Sequence, residues 1–295
     1  MRLLICMLAA MLALQEARGE KPLVFQSDFG TRDAAVAAMK GVAVGVSPGL
    51  PIFDITHEIP PYDIWEASLR LAQSAEYWPE GTVFVSVVDP GVGTARKSVV
   101  MRSKSGHFFA TPDNGTLTFV AERLGVDAVR EIDEAVNRLA NSERSYTFHG
   151  RDVYAYTGAR LAAEVIAFEE VGRALPADVV TIPHQKPAYA EGILRGTIPV
   201  LDVRYGNVWS NIDRRTFARL GLEPGDRARV RIRHEGVNVF EGTVPYYPTF
   251  GHVAVGEALL YLNSLNEVAI ALNQGSFAEE HGIGSGARWR IEITK

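Results

Sequence analysis

The amino-acid sequence predicts two domains, an α/β N-terminal domain with a largely parallel sheet and a smaller all-β, barrel-like C-terminal domain. Strand-like and helix-like stretches alternate from Lys21 to about Ala174, which is typical of a parallel sheet covered by helices. The pattern breaks at residues 182–192, which contain two prolines and no apolar period. After the break, short strands and turn residues alternate closely, as they do in β-sandwiches and barrels.

The N-terminal domain follows from the order of its elements. Apolar stretches rich in β-branched residues and bounded by Pro or Gly predict strands. Apolar and small residues at helical spacing predict helices from Asp33 onward and over residues 153–166. The predicted strands are PLVFQS (22–27), PIFDIT (51–56), GTVFVSVVD (81–89), KSVVMRS (97–103) and HFFATPD (107–113).

The C-terminal domain is predicted from short strands with few helix signals between them. Its strands are ILRGTIPVLDV (193–203), NVWSNI (207–212), ARVRIRH (228–234), VNVFEG (237–242), EVAIAL (267–272) and ARWRIEIT (287–294). Turn residues recur between them at short spacing, which favours a sandwich or a barrel over a layered α/β unit.

The first residues predict a secretory signal peptide. Met1 and Arg2 precede the twelve-residue apolar run LLICMLAAMLAL, and small residues follow at Ala17 and Gly19. The alternative is an additional buried helix. We therefore assign residues 1–19 to a signal peptide, 20–185 to the N-terminal domain and 186–295 to the C-terminal domain. We expect an exported protein, periplasmic or secreted, which would be cytoplasmic if this segment is not processed.

Composition limits the chemistry. Cys6, the single cysteine, lies in the apolar run, so the processed protein would have neither a disulfide nor a thiolate nucleophile. The net charge of -5 argues against nucleic-acid or anionic-membrane partners, because both require a basic surface. The sequence contains no HExxH motif, Walker loop or CxxC pair, so it predicts no metal site.

Polar motifs follow three of the predicted strands. SDFG (27–30), VVDPGVG (87–93) and ATPDNG (110–115) fall at the carboxyl ends of strands, where ligands bind in parallel sheets. Each motif alone has an ordinary structural explanation. Asp28 could cap a helix, Asp89 could end a strand in an Asx turn, and PDNG could form a tight turn.

Taken together and in order, the motifs are more specific. Over nearly all of residues 22–295, the chain resembles the S-adenosylmethionine hydroxide adenosyltransferase family, which is related to the fluorinase and chlorinase enzymes. The motifs that carry the resemblance are SDFG, DITHEIPPYD, FVSVVDPGVGT, TPDNG, TFHGRD, LDVRYGNVWSNI, YLNS and EVAIALNQGS.

The resemblance implies that water attacks the 5′ carbon of S-adenosylmethionine and expels methionine. It assigns the catalytic roles to Asp89, Arg96 and His149. Water is a poor nucleophile at neutral pH, so a carboxylate or imidazole must orient it and accept its proton. A guanidinium beside Asp89 would hold that carboxylate ionised and in place. Either Asp89 or His149 remains open as the proton acceptor at this point.

The resemblance also implies the substrate-binding residues. It places Asp28 on the ribose hydroxyls, Asn207 on the adenine, and Asp202 and Ser264 on the methionine end. Aromatic contacts to the purine and the ribose are implied for Tyr62, Tyr205 and Phe250. No metal or redox cofactor is implied, S-adenosylmethionine being the substrate. The family further implies a homotrimer with its sites at the subunit interfaces. The net charge, and a chain body without a run of 18 apolar residues, predict no membrane partner after signal cleavage.

Two other functions remain open. The first is a chlorinase- or fluorinase-like halogenase. A carboxylate at Asp89 about 4 Å from a bound halide would cost roughly 4 kcal/mol at an effective dielectric near 20, which disfavours halide about a thousandfold. The second is an exported protein that binds adenosyl ligands without turnover. Such a protein would have no need for Asp89, Arg96 and His149 together.

Overall fold

The computed structural model describes residues 19–295 and divides them into two compact units after Thr181. The first unit has a mixed, largely parallel sheet with helices, and the second has antiparallel sheets, so the predicted fold class is confirmed. The proposed signal peptide lies almost wholly outside the described residues. In the part of the chain that is described, no helix has the length and apolar character needed to cross a bilayer.

A seven-stranded sheet in the order β2-β1-β3-β5-β4-β6-β7 forms the centre of the first unit. The four strands β2, β1, β3 and β5 run parallel, and β4, β6 and β7 run antiparallel to their neighbours. Strands β1 and β3 are completely buried, because their apolar side chains are covered on both faces. The strands are β1 Leu23–Ser27, β2 Ile52–Thr56, β3 Val83–Val87, β4 Ser98–Ser103, β5 Phe108–Pro112, β6 Val126–Glu131 and β7 Ala174–Leu175.

The helices of the first unit form two groups. Helix α1 packs against a π-helix and α4, whereas α2 packs against α3. Asp63 caps α2 by accepting a hydrogen bond from the Glu66 backbone N–H. The helices are α1 Ala35–Val46, α2 Ile64–Ala75, α3 Thr118–Leu124, the π-helix Gly150–Ala155, α4 Tyr156–Ala162 and a 3₁₀ turn Phe168–Glu170.

The helix predicted over residues 153–166 differs from the observed one at both ends, since the α-helix already stops at Ala162. The helical segment begins at Gly150 in π geometry and becomes α-helical at Tyr156. Such π segments concentrate at functional sites because their wider turn shifts side chains relative to a regular helix. Periodicity could not reveal the π segment, since it spans only six residues.

The topology gathers the polar motifs at one edge of the sheet. Strand β1 lies between β2 and β3. The chain passes from β1 to β2 on one side and then to β3 on the other side, so the strand order reverses at β1. The carboxyl ends of β1, β2, β3 and β5 lie at the same edge, since these strands are parallel. The residues that follow them, Asp28, His57, Asp89 and Asn114 among them, therefore emerge at the place where ligands bind in such sheets.

The second unit contains two antiparallel sheets, a four-stranded one (β10-β11-β15-β14) and a five-stranded one (β13-β12-β16-β9-β8). One core of apolar side chains includes residues of both sheets. The strands are β8 Ala188–Ala190, β9 Ile193–Ile198, β10 Val200–Leu201, β11 Val208–Asp213, β12 Arg227–His234, β13 Val237–Pro245, β14 Ala258–Leu262, β15 Glu267–Leu272 and β16 Gly286–Thr294. Short helices α5 Arg214–Ala218 and α6 Phe277–His281 and a 3₁₀ turn Phe250–His252 connect them.

The segment 182–192 contains the edge strand β8, which the sequence pattern does not predict. Ala188 and Ala190 are exposed and only Tyr189 is partly buried, so the strand has no apolar alternation long enough to recognise.

A pair of glycine substitutions tests the packing of α4 on the sheet. A Cβ at Gly158 would lie 2.4 Å from Val85 Cγ2, so Gly158→Ala should lower the free energy of unfolding by about 1–3 kcal/mol. A Cβ at Gly41 in α1 would meet nothing within 4 Å, so Gly41→Ala should raise it by up to about 1 kcal/mol. Urea denaturation of both variants measures the difference. Equal effects of the two substitutions would contradict this packing.

Candidate active site

A cavity of about 290 Å³ lies at the carboxyl edge of the sheet in the first unit. Asp28, Tyr62, Asp89 and His149 line it, together with apolar side chains such as Val87 and Phe148. The mixture of a few polar groups on an apolar lining is typical of small-molecule sites, and the volume is near the lower limit for them. The fold thus brings four of the residues selected from sequence to one cavity.

Arg96 binds Asp89 through two nitrogens. Its Nε lies 3.0 Å from both carboxylate oxygens, and its Nη2 lies 2.5 Å from Oδ2. Both side chains are largely buried, with 11% of Arg96 and 6% of Asp89 exposed. Burial by itself would lower the pKa of Arg96, but the hydrogen bonds to Asp89 and the electrostatic influence of nearby acidic groups together outweigh it and raise that pKa. The guanidinium is therefore a permanent cation beside the carboxylate.

The same guanidinium reaches His149. Arg96 Nη2 lies 2.9 Å from His149 Nδ1, and because a guanidinium can only donate, Nδ1 must accept. The proton of the neutral ring is then on Nε2, which is buried and has no hydrogen-bond partner within residues 19–295. Burial, with the charges of Arg96 and Arg138, holds the pKa of His149 below its ordinary value, although Glu134 and Asp89 act in the opposite direction. His149 is thus held as a neutral acceptor.

Two buried hydroxyls extend the hydrogen bonding of Arg96. Arg96 Nη1 donates to Ser98 Oγ at 2.9 Å, and Ser98 Oγ lies 3.0 Å from the Tyr154 hydroxyl. Tyr154 is fully buried, and burial raises the pKa of its hydroxyl, so it stays protonated. Ser98 and Tyr154 were not selected from sequence. Tyr154 lies in the π-helix five residues after His149, and this proximity is the signal in the sequence that could have identified it.

The turn after β5 fixes both ends of the loop that carries Asp89 and Arg96. Asn114 Nδ2 donates to the Val88 carbonyl at 2.9 Å, and the Asp113 backbone N–H donates to the Lys97 carbonyl at 2.9 Å. The PDNG motif is therefore more than a tight turn, since consecutive residues of it hold the backbone on either side of the acid and the arginine.

Glycine keeps this loop open next to the ion pair. A Cβ on Gly91 would lie 3.3 Å from Arg96 Cγ and 3.8 Å from Asp89 Oδ1, so a larger residue would press on the pair. Gly93 has a φ of 76°, a left-handed conformation that glycine adopts without strain.

Asp28 occupies another wall of the cavity. Its Oδ2 accepts a hydrogen bond from the Tyr62 backbone N–H at 2.9 Å. It does not cap the first helix, where Asp33 instead accepts from the Ala35 N–H. Tyr62 has a φ of 69°, and 72% of the residue is exposed. A non-glycine residue in that conformation is uncommon, and here it directs the N–H to Asp28.

The residues selected in the second unit lie on three loops. Asp202, Tyr205 and Asn207 share the hairpin loop between β10 and β11, where Asn207 Nδ2 donates to Asp202 Oδ2 at 3.1 Å. Asn207 is buried, whereas 66% of Tyr205 is exposed. Phe250 begins a 3₁₀ turn, and its ring centroid lies 5.0 Å from that of Tyr261. Ser264 is exposed in the turn between β14 and β15.

Comparison with protein-family models gives a match on each unit. The model of the SAM hydroxide adenosyltransferase N-terminal domain matches residues 23–172. The model of the C-terminal domain of the same family matches residues 196–290.

Curated relatives include two kinds of enzyme. A protein of Salinispora tropica named (R)-S-adenosyl-L-methionine hydrolase is 36% identical over 273 residues, covering 90% of this chain and 96% of its own length. A protein of Thermus thermophilus with the same name is 33% identical, over 92% of this chain and 99% of its own. A fluorinase of Actinoplanes sp. strain N902-109 is 31% identical, over 95% of this chain and 99% of its own.

A solved structure shares the fold. The crystal structure of a conserved protein from Thermotoga maritima aligns with a TM-score of 0.85 and 34% identity, over 92% of this chain and all of that one.

The bond between Arg96 and His149 predicts how His149 titrates. Its pKa should lie below the ordinary value near 6.5, so the free energy of unfolding should fall as pH decreases below about 6.5, where the unfolded state gains a proton first. Arg96→Met removes a positive charge beside the ring and should raise the pKa of His149. Arg102→Met, a surface arginine paired with Asp127, is the matched control and should leave it unchanged. NMR titration of the His149 ring measures both, and a pKa above about 6.5 in the unsubstituted protein would contradict the assignment.

Proposed function

The chain belongs to the S-adenosylmethionine hydroxide adenosyltransferase family, and we propose that it hydrolyses S-adenosyl-L-methionine to adenosine and L-methionine. The observation that carries the proposal is the hydrogen-bonded group of Asp89, Arg96 and His149 at the cavity. Relatives named S-adenosyl-L-methionine hydrolase support the same chemistry.

In the proposed reaction a water oxygen attacks C5′ in line with the bond to sulfur. The C5′–O bond forms as the C5′–S bond breaks, and sulfur keeps the electron pair and leaves as the neutral thioether of methionine. The water loses one proton, which passes through the protein to solvent. The sulfonium is already an activated leaving group, so the protein has mainly to orient the water and accept its proton, and we propose no metal or redox cofactor.

Asp89 is the group best suited to take this proton. Arg96 is always protonated, and His149 Nδ1 is occupied by the Arg96 N–H, so protonation there would set two donors against each other. Asp89 Oδ2 faces two Arg96 nitrogens, whereas Oδ1 faces only Nε, which leaves Oδ1 the freer oxygen. In this mechanism Asp89 orients the water and accepts its proton, and Arg96 with His149 holds Asp89 in place.

Substrate positions follow from the same proposal. Asp28 would accept hydrogen bonds from the ribose hydroxyls beside Tyr62. Asn207 would bind the adenine between Tyr205 and Phe250, and Asp202 and Ser264 would bind the methionine end. The buried amide of Asn207 supports a hydrogen-bonding role, and the exposed face of Tyr205 supports a stacking role.

We also propose that three copies associate, with their sites at the subunit interfaces. The exposure of three side chains supports this association. Tyr62, Tyr205 and Phe250 are large, apolar and exposed, and a neighbouring copy would cover them.

Turnover of S-adenosylmethionine in chloride buffer, with products separated by chromatography, tests the function. We expect equimolar adenosine and methionine. In H₂¹⁸O the label should enter the adenosine 5′ oxygen, because water is the nucleophile. Asp89→Asn should lower kcat by at least about 100-fold, since it removes the base while keeping the shape. The Kd for S-adenosylmethionine should change little.

Asp127→Asn is the matched control, since Asp127 pairs with Arg102 at the surface, and it should keep full activity. A chlorinated adenosine product would instead place the protein with the halogenating relatives. Tight binding without turnover in the unsubstituted protein would identify a binding protein.

Sedimentation equilibrium tests the association. The mass should be about three times that of a 32.3 kDa chain, less any processed segment, and Tyr205→Asp should weaken both association and the affinity for substrate. A fully active monomer would rule out a shared site.

A further inference from the structure

A chain of hydrogen bonds runs from the surface to the base of the Asp28 loop. Lys40 Nζ lies 2.6 Å from Asp54 Oδ2, and Asp54 Oδ1 lies 3.0 Å from His57 Nε2. His57 Nδ1 lies 2.7 Å from Ser27 Oγ. Ser27 and His57 are almost completely buried, whereas Asp54 is about one-third exposed. The proposed mechanism uses none of these four residues.

The direction of each bond follows from the donors available. Asp54 is held ionised: burial would raise its pKa, but the hydrogen bonds and the charges of Lys40 and His57 together outweigh burial and lower it. A carboxylate only accepts, so His57 Nε2 carries a proton. In the neutral ring Nδ1 then accepts from the Ser27 hydroxyl, which leaves Ser27 Oγ free to accept from the Phe29 N–H at 3.3 Å.

These residues do not form a nucleophilic triad, although they are a serine, a histidine and an aspartate. In acyl-transfer triads the serine contacts Nε2 and the acid contacts Nδ1, whereas here the two contacts are exchanged. Ser27 also has no exposed surface, so a substrate cannot reach its oxygen.

These hydrogen bonds hold the residues around Asp28. Ser27 precedes Asp28, and the next residue, Phe29, donates to the Ser27 hydroxyl. The Gly30 N–H donates to the His57 carbonyl at 2.7 Å. Residues on both sides of Asp28 are therefore bonded to Ser27 or His57, and its carboxylate is bonded to the Tyr62 N–H five residues beyond His57.

We propose that His57, acting through Ser27, is the positioning residue that orients Asp28 for recognition of the ribose 2′ and 3′ hydroxyls. This inference rests on the proposed function, because it takes Asp28 as the ribose-binding acid. Without the His57–Ser27 bond, the loop from Ser27 to Gly30 would lose one of its anchors, and the carboxylate would be less well aimed at two adjacent hydroxyls.

Affinities for adenosine and 2′,3′-dideoxyadenosine, measured by calorimetry on the full protein, test this role. The ratio of the two Kd values reports ribose recognition alone. Ser27→Ala and His57→Gln should weaken adenosine binding about tenfold and leave dideoxyadenosine binding unchanged. In both variants KM for S-adenosylmethionine should rise while kcat at saturation stays within about twofold.

His57→Asn is the conservative variant, because its shorter amide can accept from Ser27 without reaching Asp54. It should keep most of the preference for adenosine. Lys40→Met, at the exposed end of the chain of hydrogen bonds, should behave like the unsubstituted protein. Thermal unfolding of each variant verifies that it is folded.

The outcomes separate this inference from the proposed function. If Asp28→Asn abolishes the preference for adenosine but Ser27→Ala and His57→Gln retain it, the role of His57 is overturned and the proposed function stands. If the unsubstituted protein does not prefer adenosine over dideoxyadenosine, Asp28 is not a ribose acid and the role of His57 is overturned with it, whereas hydrolysis of S-adenosylmethionine is decided by the turnover experiment. A loss of kcat equal to the loss in affinity, or equal effects of Asn and Gln at position 57, would show that His57 serves only the fold.

Discussion

The site depends on the donation of Arg96 to two acceptors at once. A guanidinium has a fixed planar set of donors, so the carboxylate of Asp89 and the ring nitrogen of His149 must be placed to match it. A further N–H of Arg96 donates to Ser98, and Ser98 is in turn hydrogen-bonded to the buried Tyr154. A lysine could not satisfy these acceptors in one plane, which is why the charge here is an arginine and why its surroundings are so extensively hydrogen-bonded.

The parallel sheet provides the second constraint. Four adjacent strand ends deliver the residues that follow them to one edge, where these residues have different roles. Asp28 and Asp89 face the cavity, while His57 and Asn114 hold the loops that carry them. Two acids thus line one small space without being bonded to each other. Their separate partners, a main-chain N–H and a guanidinium, give them different chemistry.

Much of the fold and of the candidate site could be predicted from sequence, and what could not be predicted has physical reasons. The alternation of apolar strand runs and helix patterns indicated the α/β domain, because strands buried on both faces of a sheet are almost continuously apolar. Short strands with turn residues between them indicated the all-β domain. The resemblance selected Asp89, Arg96 and His149, but their hydrogen-bond directions depend on atoms and not on residue types. Ser98 and Tyr154 were not predicted because neither residue type by itself indicates a site. The π-helix was not predicted because it is short, and β8 was not predicted because it is short and largely exposed.

At Tyr62 the backbone and the side chain have separate roles. Its main chain holds Asp28, while its ring is largely exposed and lines the cavity. The anchor for the acid therefore depends on backbone shape, and the side chain at this position contributes nothing to it. Asparagine or glycine, which accept the same left-handed backbone, would alter the chemistry of the cavity lining and keep the acid in place. Position 62 is thus a suitable starting point for redesigning which adenosyl compounds enter.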